Sequence, residues 1–581
     1  MKSSATPGKA NQKPKSPSLI GLLKPCKGWI ILLVVFAIIS NAFNLLVPML
    51  ISRGIDSYVA GTLVVPTLVM QFALTAAAIF IFAYLQNVVQ TYASELVARD
   101  LRKKVSAKIS LQSYAFVQEM TGAKLLTNLT SDVDAVKLFV SQAVVTFASS
   151  LFIIIGASIL LIMINWILAL AVLAILPVIV GAFFLIFKKV NVLFKKSQEV
   201  IDWLNRVINE SILGSALIRV LNSQQYEYQK FIAANTEARN LGLQILSLFA
   251  ALIPVITLVA NLAALIILAL GGHFVIAGTM TLGQFAAFNS YLALLIFPII
   301  MIGFISNIIA RSAASYKRIT DVLETEERKD DGTDTSELRG DIDIEHVTVV
   351  YGEKSALKDV SFSVKAGTRT AVIGPTGAGK TQLLYLLTGL MPPASGTVKY
   401  DGKPLASYDA AALHRQVGMV FEDSIMFNLT LRENIAFGDT VADADLKRAI
   451  DTAELNDFIE SLPQKLDTIV LERGTSLSGG QKQRIMLARA LALRPKVLLL
   501  DDFTARVDTQ TEEKILKNVA ENYPDITLVS ITQKIASVEA FDHIVLLMEG
   551  ELLAQGTHAE LMKTSPEYVQ IADSQRSTSH L

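Results

Sequence analysis

A set of apolar runs too long for a soluble core limits what this chain can fold into more than any other feature. A helix needs about 20 residues to cross a hydrocarbon layer of roughly 30 Å. Trp29–Ile51, Pro66–Val89, Leu243–Leu270 and Leu282–Ile309 each reach that length. Leu138–Phe187 is longer, is broken at Asn165-Trp166, and reads as two crossings joined by a tight turn. Six crossings follow, with both ends on one side. The polar amino terminus carries Lys2, Lys9, Lys13, Lys15, Lys24 and Lys27. Arg99, Arg102, Lys103 and Lys104 follow the second crossing, and Lys188, Lys189, Lys195 and Lys196 follow the fourth. The opposite connections are nearly free of positive charge, Arg53 being the main exception. This asymmetry places the tail and both long connections in the cytoplasm.

Apolar periodicity persists beyond the crossings, at Val105 and Ile109 and again at Val200, Leu204 and Ile208. It predicts helices that run well past the membrane before turning, with Gly122 and Gly214 near the turns. Asn41, Asn44, Gln71, Gln86, Asn87, Asn261 and Asn289 lie within the crossings. Such amides either line a cavity or bond between helices, the second being the commoner role. The crossings hold no acidic relay, which argues against proton-coupled transport. The chain's 52 basic and 52 acidic residues balance, and a nucleic-acid partner would call for a basic face. A single cysteine, Cys26, leaves no disulfide framework and no cysteine-based metal cluster.

The second half has ordinary globular composition. Glu324–Glu337 is charged and reads as a linker, after which short β-rich runs alternate with helices, the pattern of an α/β domain. The expected boundaries are a tail at 1–18, a membrane domain at 19–323, a linker at 324–340, an α/β domain at 341–574 and a tail at 575–581. The strand Ala371-Val372-Ile373 runs into Gly374, Pro375, Thr376, Gly377, Ala378, Gly379, Lys380 and Thr381, and then into a helix. This is G-x-x-x-x-G-K-T in its required strand–loop–helix setting. Its backbone N–H groups cradle phosphates, Lys380 neutralises their charge and Thr381 holds Mg²⁺. Val497–Asp501 is a buried-type strand ending in a carboxylate suited to the same Mg²⁺. Leu477-Ser478-Gly479-Gly480-Gln481 opens a further helix. Alone it is an ordinary capped start; it is also a phosphate-binding device.

Together these three segments resemble the ATP-binding cassette family, whose signature is LSGGQ, and six crossings ahead of one cassette resemble an exporter half-transporter. The resemblance implies a fold class of an all-α six-helix transmembrane domain followed by an α/β P-loop cassette, using ATP and Mg²⁺. It places coupling helices at Gly122–Asp132 and Glu210–Arg219, and at Glu472-Arg473-Gly474 the loop that exporters carry just ahead of the signature. It puts Tyr351 on the adenine and Ser478, Gly479, Gly480 and Gln481 on the ATP of a partner subunit. Three positions depart from the family pattern. Asp502 stands where a catalytic Glu is expected, Gln533 where a His contacts the γ-phosphate, and Glu422 where a Gln approaches Mg²⁺ and water; Ala505 also replaces a common Ser. A carboxylate drawn back by one methylene, about 1.5 Å, is poorly placed to polarise water.

The expectation is an ATPase subunit whose own site binds ATP and hydrolyses it weakly, and whose signature completes a competent site on a second half-transporter. A heterodimer fits this better than a homodimer, in the manner of heterodimeric bacterial multidrug exporters. The expected location is the cell membrane, a bacterial inner membrane, with the cassette cytoplasmic. The expected cargo is a small lipophilic compound or drug. Lipid or peptide export, and an ATP-gated regulatory protein without active transport, are the alternatives.

Overall fold

The computed structural model describes residue 21 and residues 27–174, 176–327, 332–351, 354–438, 441–471 and 474–579. The expected tail at 1–18 and Cys26 lie outside the described residues. The chain divides into two compact units, one of Met1–Ser110 with Gly122–Thr325, the other of Leu111–Thr121 with Glu326–Leu581.

The first unit is helical. It contains α1 (Lys27–Val59) and α2 (Val65–Ser110). The segment α3 (Tyr114–Met120) belongs to the second unit. Then come α4 (Gly122–Ile164), α5 (Trp166–Leu173), α6 (Leu176–Leu213), α7 (Ser215–Val220), α8 (Gln224–Ile276) and α9 (Leu282–Glu324). Among the described residues, α1, α2, α4, α8 and α9 are long and apolar enough to cross a membrane. The remaining expected crossing is divided between α5 and α6, with Ile175 between them outside the described residues. The tight turn is where the sequence puts it: Asn165 is extended, and its side chain accepts a hydrogen bond from the Leu168 N–H at 3.0 Å.

The helices do extend past the membrane. With 46 residues, α2 is about 69 Å long at the helical rise, roughly twice a hydrocarbon core. Ion pairs tie its far end to α4: Arg102 to Asp134 at 2.7 Å, and Lys137 to Glu95. Arg318 on α9 clamps the buried Asp132 of α4 through both carboxylate oxygens, a geometry that guanidinium favours. Gly122 and Gly214 do sit at the turns, Gly122 directly after Thr121 and Gly214 between two helices, but neither carries the left-handed backbone. Left-handed backbone occurs at Thr121 (φ 59°) and Asn222 (φ 52°), while Gly122 opens a helix and Gly214 keeps φ −85°.

Several crossing amides also have a different role from the one expected. Asn41, Asn44 and Asn289 each donate to the carbonyl four residues back on their own helix, at 2.7, 3.2 and 3.3 Å. One link between α1 and α9 comes instead from the buried Tyr291, whose hydroxyl donates to the Leu45 carbonyl at 2.9 Å. Around it pack Phe288, Leu295, Leu161 and Leu168.

Among the described residues the second unit carries ten strands. They are β1 (Ile342–Tyr351), β2 (Lys354–Val364), β3 (Arg369–Ile373), β4 (Ser395–Tyr400) and β5 (Lys403–Pro404), then β6 (Val417–Val420), β7 (Val497–Asp501), β8 (Thr527–Thr532), β9 (His543–Met548) and β10 (Glu551–Gly556). An antiparallel sheet has the order β2-β1-β4-β5, and a six-stranded sheet the order β10-β9-β3-β8-β7-β6. In the latter β9, β3, β8, β7 and β6 are parallel. Every residue of β7 and β8 is buried, as expected of central strands covered on both faces.

Three boundaries shift. The residues between α2 and α4 that pack with the cassette are Leu111–Thr121, not Gly122–Asp132. Ser113 caps α3, accepting from the Phe116 N–H at 3.3 Å. The Tyr114 ring meets Tyr385 edge-on at 5.2 Å, and Tyr385 in turn leans on Phe421 at 6.2 Å. Aromatic docking, which spacing does not reveal, decides this placement. The later part of the expected linker is also held in the cassette: Thr333 and Asp334 donate to the Ser407 carbonyl, and Asp334 pairs with Lys403 at 2.6 Å. That lysine holds the Asp334 carboxyl down at about 2. Finally, the expected tail at 575–581 is helical through Ser579.

Candidate functional site

Parallel strands deliver the site. Ile373 at the end of β3 is level with Thr532 of β8, and Asp501 at the end of β7 is level with Ile531. The residues that follow these ends, Gly374, Gln533 and Asp502, therefore emerge along one edge, with Glu422 just beyond β6. The crevice at the carboxyl ends of parallel strands is where such sheets bind ligands.

The loop from Gly374 to Thr381 needs all three of its glycines: a Cβ on Gly374 would lie 2.1 Å from the Leu547 carbonyl oxygen. Gly377 and Gly379 have φ 86° and 90°, and a Cβ on Gly379 would lie 2.3 Å from the Ala356 carbonyl oxygen. Helix α10 (Lys380–Leu387) begins there. The Lys380 ammonium donates to the Gly374 and Pro375 carbonyls at 2.7 and 2.9 Å. Burial lowers its pKa, against the opposing pull of Asp502, Asp501 and Glu422.

The Thr381 hydroxyl donates to the Asp501 carboxylate at 3.2 Å. Asp501 is only 2% exposed, and burial pushes its carboxyl up to about 6. Glu422 and Asp502 reinforce this, while Thr381 and Lys380 oppose it. Two hard oxygen donors, one a carboxylate short of positive charge, fit Mg²⁺. Asp502 has left-handed backbone (φ 41°) and donates its N–H to the Ile531 carbonyl at 3.0 Å. Burial raises its carboxyl also, opposed by Lys380 and Lys534. The Gln533 amide reaches the Thr376 hydroxyl at 3.4 Å. The backbone of Glu422 is fixed by Gln483, which donates to its carbonyl at 2.8 Å.

The sequence reading missed some of the support. Gln575 donates to the Gln533 carbonyl at 2.6 Å and accepts from the Ile535 N–H at 2.9 Å, holding the loop that carries Gln533 from both sides. The buried Glu512 lies 3.8 Å from Lys534. No local motif marks these residues. The Tyr351 side chain, the Ala505 side chain and Glu472-Arg473 lie outside the described residues.

The signature opens helix α11 (Gly479–Ala492). Ser478 accepts from the Gln481 N–H at 3.2 Å, and the Gln481 side chain accepts from the Ser478 N–H at 2.8 Å. A Cβ on Gly480 would approach the Arg506 carbonyl oxygen to 2.9 Å, so glycine lets the turn Phe503–Arg506 lie against the helix start. Among the described residues no member of Ser478–Gln481 hydrogen-bonds Lys380, Thr381 or Asp501.

Residues 30–299 match the ABC transporter transmembrane region family and residues 357–505 the ABC transporter family. The chain is 33% identical to the "Uncharacterized ABC transporter ATP-binding protein YfiB" of Bacillus subtilis, over 96% of this chain and 98% of the relative. It is 30% identical to the "Probable multidrug resistance ABC transporter ATP-binding/permease protein YheI" of the same organism, over 92% and 93%. Its fold is similar to that of a bacterial Atm1-family ABC exporter solved with ATP bound, with a TM-score of 0.77, 24% identity, and coverage of 96% of this chain and 99% of that one.

Proposed function

Because this chain belongs to the ABC transporter family, with transmembrane region and cassette in one polypeptide, we propose that it is one subunit of an ATP-driven exporter of lipophilic compounds. The membrane unit sits in the cell membrane and the cassette in the cytoplasm, where it binds ATP and Mg²⁺. Lys380 now donates to its own loop carbonyls; a triphosphate would take over those donors. Thr381 and Asp501 would hold the Mg²⁺, which screens the phosphate charge.

The own site holds nucleotide and turns it over slowly. The observation that carries this reading is the group of residues following β6, β7 and β8: Glu422, Asp502 and Gln533. A water-polarising carboxylate set back by a methylene loses its alignment, and misplacement by about 1 Å already costs ~100-fold in rate. Gln533 offers an amide hydrogen bond and no cationic charge. Glu422 adds an anion beside a triphosphate, against the direction in which such sites stabilise charge. The signature at Ser478–Gln481, built as a capped helix start, completes the site of a second, different half-transporter. Closure of two cassettes on ATP would act through α3, whose Tyr114 rests on the helix that begins at Lys380, and so shift the membrane unit between inward- and outward-facing states.

The test uses the full chain in lipid nanodiscs, alone and together with candidate half-transporters carrying Glu and His at the corresponding positions. Slow ATP turnover alone and fast turnover in the pair is the expected result. Fast turnover by the lone chain, abolished by Asp502→Asn, would overturn the weak-site and heterodimer readings. ATP-driven accumulation of a lipophilic dye in inverted vesicles separates active export from passive gating.

A further inference from the structure

A cavity of about 650 Å³ opens in the membrane unit between α6 and α9, within the range of small-molecule sites. Its character comes from α6. Phe183 and Phe187 stack with ring centres 4.3 Å apart and planes 16° apart. Phe304 and Phe249 brace them: Phe304 meets both rings edge-on, and Phe249 meets Phe187 edge-on. Gly303 makes the wall possible, since a Cβ there would fall 1.8 Å from the Phe183 ring. The wall is thus a preformed aromatic surface, and Phe184 beside it is 68% exposed. Flat rings stack on such a surface with little ordering cost.

The opposite end is polar. Lys188 and Asn191 follow Phe184 and Phe187 by four residues each, one helical turn further along the same face, and Ser306 lies nearby on α9. Both helices run toward the positively charged cytoplasmic side, so the polar end is the cytoplasmic one. Lys188 is the one charged residue of the described lining, no carboxylate lines it, and its ammonium makes no ion pair among the described residues. The Ser306 hydroxyl donates to its own helix at Ile302, 3.1 Å away, and its oxygen stays open as an acceptor.

We propose that this pocket is a substrate site for an anionic amphiphile with a flat aromatic body, its ring against Phe184 and Phe187 and its anion on Lys188. The site deepens the export reading and rests on it only for the transport step. An amphiphile fits with its head at the cytoplasmic end, where an exporter would load it.

The test measures binding of two dyes of similar shape, anionic anilinonaphthalenesulfonate and neutral phenylnaphthylamine, to the full chain in phosphatidylcholine nanodiscs. Lys188→Gln weakens the anionic dye about tenfold, the low end for a charge-assisted hydrogen bond, and leaves the neutral dye unchanged. Phe184→Ala weakens both, and because its ring is largely exposed the substitution leaves folding intact. Equal losses of both dyes in Lys188→Gln, or no loss in either variant, overturn the proposal. Short-chain phosphatidic acid tests a lipid source for the anion: if it displaces the sulfonate dye and Phe184→Ala has no effect, the aromatic assignment is overturned. Accumulation is read separately, in inverted vesicles that hold the chain together with the half-transporter that gives fast turnover. Dye binding that depends on Lys188 without accumulation defeats the export reading and supports the site. Accumulation indifferent to Lys188 and Phe184 defeats the site and supports export.

Discussion

Lengthening one side chain is the sharpest perturbation of the nucleotide site. Asp502 is anchored by its N–H to the Ile531 carbonyl at 3.0 Å, so Asp502→Glu advances the carboxylate from a fixed Cα. One added methylene moves it by about 1.5 Å. A misplacement of about 1 Å costs ~100-fold, which is about 2.7 kcal/mol of barrier. Gln533 and Glu422 remain, so the expected gain in kcat is roughly 10- to 100-fold. The phosphate loop is untouched, and KM should stay within about threefold, as expected when only transition-state contacts change. Left-handed backbone at φ 41° suits Asp better than Glu, so a small loss of cassette stability accompanies the gain. The assay is steady-state phosphate release by the full chain in nanodiscs, with Lys380→Ala as the blank. Adding Gln533→His should raise the rate further. The reasoning is refuted if the wild type turns over as fast as Asp502→Glu and Asp502→Asn stops it.

Other consequences are open to direct measurement. Asp501 has its carboxyl raised to about 6 in the folded state, so its stabilising contribution is complete below the unfolded value near ~4 and lost as pH rises through about 6. Nucleotide-free, Mg²⁺-free protein should therefore melt higher at about pH 5 than at about pH 7.5, and Asp501→Asn should shrink that difference. Asp56 caps the start of α9, accepting from the Thr281 hydroxyl and the Gly283 N–H, both at 2.8 Å. Asp56→Ala should cost about 1–2 kcal/mol, seen as a lower melting temperature. Gly283→Ala should cost more, because its Cβ would meet the Ser52 carbonyl oxygen at 2.1 Å. Tyr114→Ala removes the ring that rests on Tyr385; transport should fall while basal ATP turnover stays within about twofold, since no phosphate contact changes.

The sequence by itself determined the features written in local pattern. Run length and charge bias placed the crossings and their orientation, since the cost of polar backbone and charge in a bilayer acts segment by segment. The loop from Gly374 to Thr381 was legible because strand, left-handed glycines and helix start lie within a few consecutive residues. Asp502 and Gln533 stood out only against the pattern of the ATP-binding cassette family that the sequence resembles. Tertiary structure decided what depends on which distant segments become neighbours. Thr381 meets Asp501 across 120 residues, and only the parallel register of β3, β8 and β7 brings Lys380, Asp502 and Gln533 to one edge. Docking of Leu111–Thr121 in place of Gly122–Asp132 came from ring contacts between Tyr114 and Tyr385, and the turn formed at Thr121 although glycine followed it. The clamp by Gln575 and the aromatic wall of Phe183, Phe187 and Phe304 have no periodicity to announce them. Their side chains are unremarkable along the chain, and packing alone gives them partners.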